Sequence, residues 1–278
     1  MTADDPFHLT IREHPDDDGP RLVYADWLEE RGQCDRAELI RLQCGGNDNE
    51  RVRDLIRRHG DAWAGPIAHH CYGMAFRRGF VEEITVDAGV LSRYGDALFA
   101  AAPIRLLRVI GAAGILDRFV RLRVLADVRA LHLTGSGLND ASAAALAECK
   151  HLANLRTLRL GQNSIGDDGV ESLANSPWLG KLETLVLDMN LIGDMGAIAL
   201  ASSHGLDGLR ALDLSHNPIG DAGAEALAHA GGLCKLKHLG LSQPADWVAS
   251  WIRTRLTAIQ PKQRAALATR FGAEACVF

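Results

Sequence analysis

The sequence predicts an α/β repeat solenoid, a curved parallel sheet with outer helices, preceded by a small helical domain and followed by a helical cap. Three observations carry this. An apolar residue recurs every 27 positions, at Val128, Leu155, Leu182, Leu209 and Leu236. Each opens one hexad, apolar-x-x-Leu-x-Leu, seen as VRALHL, LRTLRL, LETLVL, LRALDL and LKHLGL. Further columns keep the same step: Leu138, Ile165, Ile192 and Ile219; Asp140, Asp167, Asp194 and Asp221; Leu146, Leu173, Leu200 and Leu227. A fixed period of this size means stacked units that bury one another's apolar sides.

Composition sets the outer bounds. The 278 residues leave room for a small domain beside the stack, and 47% apolar residues suffice for a core. A formal charge of −5 and a pI near 6.1 argue against a general nucleic-acid or anionic-membrane binder. The acidic start MTADDPFHLT lacks a signal pattern. No apolar run reaches the ~18 residues that a membrane span needs. The six cysteines are scattered without a C-x-x-C pair, which reads as reduced thiols and a cytoplasmic setting.

Residues 1–80 are expected to form a helical domain that also closes the start of the stack. Phe7, Leu9 and Ile11 precede the acids Asp16, Asp17 and Asp18, and Gly19-Pro20 opens RLVYADWLEERG. Proline at a first helical position, with acids before it, suits a helix start, where free N–H groups favour negative charge. Leu22, Val23, Trp27 and Leu28 suggest an amphipathic helix stopped by Gly32. A second helix is expected over 36–43, a loop over 45–49, and a third helix over 50–59 ended by Gly60.

The segment 15–43, PDDDGPRLVYADWLEERGQCDRAELIRLQ, resembles the repeat-companion domain found at the N-terminus of many bacterial repeat proteins. Matching positions include Pro15, Asp16 to Asp18, Arg21, Tyr24, Asp26, Trp27, Leu28, Arg36, Ile40, Arg41 and Gln43. Cys34 departs from the family, which commonly has an Asp-Pro type turn there. The resemblance implies architecture and not mechanism.

Trp63, Pro66, Ile67 and Tyr72 read as a hydrophobic plug. Residues 81–127 hold two degenerate hexads, Val81-x-x-Ile84-x-Val86 and Ile104-x-x-Leu107-x-Val109, as terminal repeats often do. Residues 128–243 hold the regular units. In each, the hexad is a short strand with its leucines inward. The Asp of Ile-Gly-Asp stands at a helix start, where a carboxylate can cap free N–H groups. Asn163, Asn190 and Asn217 form a structural ladder at the turn after the strand, satisfying backbone groups that the bend leaves unpaired.

The unit L-x-x-L-x-L-x-x-N-x-I-G-D-x-G-A-x-x-L-A closely resembles the ribonuclease-inhibitor-like class of leucine-rich repeats. The fold class is therefore expected to be a leucine-rich repeat solenoid. Residues 244–278 are expected to cap it, with Trp247, Val248, Trp251, Ile252 and Leu256 at helical spacing, a second helix from Pro261 to Gly272, and a last strand.

Alternate strand residues make the concave face, and these are the candidate partner-binding positions. The central column holds Arg108, His132, Arg159, Val186 and Asp213, with Asp188, His216 and His238 beside it. The face is basic early and acidic late, which suits one partner of matching charge. The expected function is non-catalytic protein–protein interaction by a monomer, with no cofactor, metal or membrane. Nucleic acid is disfavoured despite Arg105, Arg118, Arg121, Arg123 and Arg129, because interleaved aromatics are lacking.

Three alternatives stay open. The repeat resemblance implies a regulator of a partner enzyme, as an inhibitor or a GTPase activator. An enzyme with chemistry in residues 1–80 would need a pocket built on Asp16–Asp18, Asp26 or His69–Cys71 with perturbed ionisation. A purely structural role is the third. Helix capping explains those acids more cheaply than a cation site, and three adjacent residues such as His69, His70 and Cys71 cannot all face one metal.

Overall fold

The computed structural model describes residues 6–242 and 259–277. Two compact units divide the chain, Met1–Arg108 and Val109–Phe278.

The first unit opens with five helices: α1 (Pro6–Glu13), α2 (Gly19–Glu29), α3 (Cys34–Cys44), α4 (Glu50–Ala64) and α5 (Pro66–His70). A hairpin follows, β1 (Gly73–Arg77) and β2 (Phe80–Asp87), then α6 (Ala88–Ala101) and β3 (Leu106–Ile110), within which the division falls. Its core gathers Ile11, Tyr24, Ala25, Leu28, Ala37, Ile40 and Phe80. Val81, Ile84 and Val86, the apolar positions of the first degenerate hexad, are buried on β2.

Several local expectations change. Leu22 and Val23 are 40% and 58% exposed. The inward face of α2 is instead Arg21, Tyr24, Ala25 and Leu28, an i, i+3, i+4, i+7 stripe. Arg21 can be buried because its guanidinium donates to Glu82 Oε1 at 2.8 Å and to the Asp17 carbonyl at 2.9 Å. Helix α4, capped by the Asn49 side chain on Val52 N–H, runs past Gly60 to Gly65. Gly60 lies against Phe76, where a Cβ would sit 3.6 Å from the ring. The stop is Gly65, at φ 56°.

The antiparallel hairpin was not expected. Arg78 and Gly79 both take positive φ, 49° and 83°, as a tight two-residue hairpin turn requires. The Gln43 side chain clamps it, donating to the Phe76 carbonyl at 2.9 Å and accepting from Gly79 N–H at 2.8 Å. Tyr72 is 74% exposed and Pro66 is also exposed, so of the expected plug Ile67 is fully buried and Trp63 partly.

The second unit contains the repeats. After the short helix α7 (Leu116–Phe119) come β4 (Ala130–His132), α8 (Asp140–Ala147), β5 (Thr157–Arg159), α9 (Asp167–Ala174), β6 (Thr184–Val186), α10 (Asp194–Ser202), β7 (Ala211–Asp213), α11 (Asp221–His229) and β8 (His238–Gly240). Helix α12 (Pro261–Phe271) and β9 (Cys276–Val277) close it. Strands β4 to β9 pair in parallel, so Leu131, Leu158, Leu185, Leu212 and Leu239 stand side by side. Each is no more than 1% exposed.

The three asparagines bind backbone across neighbouring units. Asn217 is fully buried. Its amide donates to the carbonyls of Leu187 (2.8 Å), Leu214 (3.0 Å) and Ser215 (3.3 Å), and its oxygen accepts from the N–H groups of Asn190 (3.2 Å) and Ile192 (3.1 Å). Asn163 repeats this two units earlier, and Asn190 makes the same three donor bonds one unit earlier while its oxygen accepts from Ile165 N–H.

The aspartate column acts differently from expectation. Asp167, Asp194 and Asp221 are the first residues of their helices, and a glycine with no side chain holds each N-cap. Each carboxylate caps the following unit instead. Asp167 accepts from Gly193 and Gly196 N–H at 2.7 and 2.9 Å, and Asp194 from Gly220 and Gly223 at 2.7 and 2.8 Å. Asp140 reaches Gly166 N–H in the same way. The first helical residue already points away from its own free N–H groups, toward the next unit's.

Asp221 extends the series to the C-terminal element, accepting from Gln260 N–H at 2.7 Å just before α12. That helix stops at Gly272, φ 90°. Arg270 ties it down through the carbonyls of Ala228 (3.2 Å) and Gly232 (2.8 Å). Trp247, Val248, Trp251, Ile252 and Leu256 lie outside the described residues.

Candidate functional site

In a parallel stack, residues between the inward leucines project from the open face of the sheet. His132, Arg159, Val186, Asp213 and Gly240 are paired in register across β4 to β8, forming one column. A depression of about 540 Å³ lies on this face over β5 to β9. Arg159, Val186, Asp188, Asp213, His216 and His238 line it. His132 belongs to the same column but not to this depression, and Arg108 lies in the first unit, its guanidinium 3.9 Å from Glu83.

Two glycines make room for the acids. A Cβ at Gly161 would stand 2.0 Å from Asp188 Oδ1, and one at Gly240 would stand 2.3 Å from Asp213 Oδ1. Each carboxylate therefore lies flat over the neighbouring strand. Burial, and after it the negative charge of Asp213, holds the Asp188 carboxyl above the usual carboxylate range. Asp213 Oδ1 accepts from Ser215 N–H at 3.0 Å. His216 has positive φ, 60°, and its Nδ1 is buried without a hydrogen-bond partner.

Charge pairing separates this face from its margin. On the margin, Glu183 meets Arg156 at 2.9 Å and Arg210 at 3.8 Å. On the open face, Arg159, Asp188, Asp213, His216 and His238 form no ion pair among the described residues. The sequence placed His132, Arg159, Val186 and Asp213 in one column, and these four pair in register. It did not show the roles of Gly161 and Gly240, which depend on carboxylates 27 residues away.

The acids of the first unit are engaged elsewhere. Asp17 Oδ1 accepts from Gly19 N–H at 2.8 Å, Asp26 pairs with Arg41 at 2.7 Å, and Asp18 lies 3.6 Å from Arg78. His70 stacks on Tyr94 with ring centroids 4.4 Å apart. Burial pushes the neighbouring Cys71 thiol up to about 11. Among the described residues, no group of three or more His, Cys, Asp or Glu side chains could hold a metal ion. No described helix is long and apolar enough to cross a membrane.

Strand, asparagine turn and helix, repeated in register, define the class of the second unit. The family described as Leucine Rich repeat matches residues 151–174, 181–201 and 209–228. Those stretches of the second unit are leucine-rich repeats. Among solved structures the chain is similar to an internalin (inlF) of Listeria monocytogenes, at 20% identity and a TM-score of 0.35. That match covers 69% of this chain, and the chain spans 57% of the internalin's length. The sequence matches no curated protein.

Proposed function

We propose that this protein is a non-catalytic, cytoplasmic interaction module that holds a protein partner on the concave face of its repeat sheet. One observation carries the reading. The open face presents Arg159, Asp188, Asp213, His216 and His238 without intramolecular ion pairs among the described residues, whereas the sheet margin pairs its charges. Charges left unpaired over a depression are suited to orient a partner carrying the opposite pattern. His132 and Val186 share the face.

A strand followed by an eight- or nine-residue helix in each 27-residue unit supports assignment to the ribonuclease-inhibitor-like class. The buried Tyr24–Leu28–Ile40 core and the Gln43 clamp support a repeat-companion domain at the N-terminus.

The test is affinity capture from the native cell extract with wild type, Arg159→Glu and an outer-surface control, Asp168→Lys. Arg159 is exposed and unpaired, so the reversal should leave stability within about 0.5 kcal/mol. Partners held by wild type and the control should be lost from Arg159→Glu. A folded Arg159→Glu protein that keeps the same partners would overturn the reading.

A further inference from the structure

We infer that the depression on the open face of the repeat sheet receives a basic side chain, arginine or lysine, projecting from the partner protein onto Asp188 and Asp213. The inference rests on the proposed use of that face and names what its central strands recognise. Its support is a set of acceptors that meet at one place and a local excess of negative charge there.

The acceptors meet over β8. Val186 on β6, Asp213 on β7 and Gly240 on β8 are paired in register, so Asp213 has an apolar side chain on one flank and bare backbone on the other. A Cβ at Gly240 would stand 2.3 Å from Asp213 Oδ1 and 2.8 Å from Ser215 Oγ. Both oxygens therefore lie over the same glycine, and all three residues line the depression. The bond from Ser215 N–H, at 3.0 Å, fixes the Asp213 carboxylate in place. Ser215 is only 8% exposed, yet its hydroxyl has no hydrogen-bond partner among the described residues. A fixed carboxylate beside an unpartnered hydroxyl offers acceptors, and ammonium and guanidinium groups carry only donors.

The sign of the charge is set by Asp188, two residues beyond β6, which lines the same depression. Burial raises its carboxyl pKa first and Asp213 next, and that repulsion outweighs the relief from either His216 or Arg159. Arg159 also lines the depression, but it forms no ion pair with either acid among the described residues. A further cation would relieve the repulsion between the two acids, and an anion would add to it. Val186 and, on β9, the 60% exposed Val277 give apolar ground for the methylene stem of a long basic side chain.

The test titrates the full chain, labelled with nitrogen-15, with acetyl-Gly-Gly-Arg-Gly-Gly-amide and with the same peptide carrying citrulline, which keeps the shape and loses the charge. The arginine peptide should shift the backbone amides of Asp188, Asp213, Ser215 and Gly240 saturably. It should leave those of Gly193 and Gly220, held by Asp167 and Asp194, in place. The citrulline peptide should shift none of them. Asp188→Asn and Asp213→Asn should each weaken the arginine peptide by about fivefold. Asp213→Asn keeps an oxygen for Ser215 N–H and Asp188→Asn removes a repulsion, so both variants should stay folded. Arg159→Glu removes a competing cation, so it should hold the peptide at least as tightly as wild type even where it loses captured partners. No saturable shift with the arginine peptide, equal shifts with citrulline, full affinity in both Asn variants, or weaker binding by Arg159→Glu each overturns the inference. Partners still captured through Arg159 alongside any of those results would leave the wider reading of the face standing.

Discussion

The carboxylate of Asp194 accepts hydrogen bonds from the backbone N–H groups of Gly220 and Gly223, at 2.7 and 2.8 Å, and both donors belong to the next repeat. A side chain at the start of one helix thus performs the capping role for another. Removing it by Asp194→Ala should destabilise the protein by about 1 kcal/mol, within the range of lost helix caps. Asp168→Ala, an exposed acid one residue along its helix from the equivalent position, should stay within about 0.5 kcal/mol. Urea unfolding of the two variants beside wild type checks this, and equal losses would show that the inter-repeat bonds contribute little.

Leu185 is 1% exposed and sits between Leu158 and Leu212 in the stacked column. Leu185→Ala leaves a cavity in the shared core, at an expected cost of about 2–5 kcal/mol. Denaturant midpoints at unchanged m-value are the measurement. A loss below that range would mean that neighbouring units collapse into the space.

Asp188 gives a pH signature. Its folded-state carboxyl titrates above the usual range, because of burial and then the charge of Asp213. Between the ordinary carboxylate pKa and the raised one, the folded state binds more protons than the unfolded state, so this group's contribution to stability falls as pH rises through that window. Asp188→Asn removes the ionisation. It should therefore be more stable than wild type at neutral pH, with the difference shrinking as the medium is acidified below the ordinary carboxylate range. Thermal melts at pH 7 and pH 3 would measure it, and a variant less stable than wild type at neutral pH would refute the assignment. A gain in stability on removing a charge is what a binding surface kept under electrostatic tension should show.

The repeats were legible because a stack converts sequence period into spatial register. Leucines 27 residues apart must meet if the hexads are strands, and Leu158, Leu185 and Leu212 do. The asparagines follow the same logic. What escaped the sequence concerns direction and partner choice. A carboxylate at a helix start can serve its own N–H groups or a neighbour's, and composition alone does not choose. In the first unit, hydropathy placed Leu22 and Val23 inside, while the fold places Arg21 there because Glu82, on a strand of the hairpin, waits for it. The Arg78-Gly79 turn between Phe76 and Phe80 carried a hairpin signal that the degenerate hexad beginning at Val81 masked. On the candidate site, the column of outward residues was readable, whereas Gly161 and Gly240 gain meaning only from the carboxylates laid across them.

The relay of aspartates gives the stack a grammar with a direction. Every helix from α9 to α11, and the start of α12 after them, receives its cap from the unit made before it. During synthesis, each new turn therefore emerges next to an acceptor already in place. Excising or inserting one whole 27-residue unit keeps every donor matched, while a cut at any other length strands one carboxylate and leaves one helix start bare. Lengthening or shortening in whole units is the change this architecture tolerates, and it would resize the inner surface without rewriting how the coils are joined.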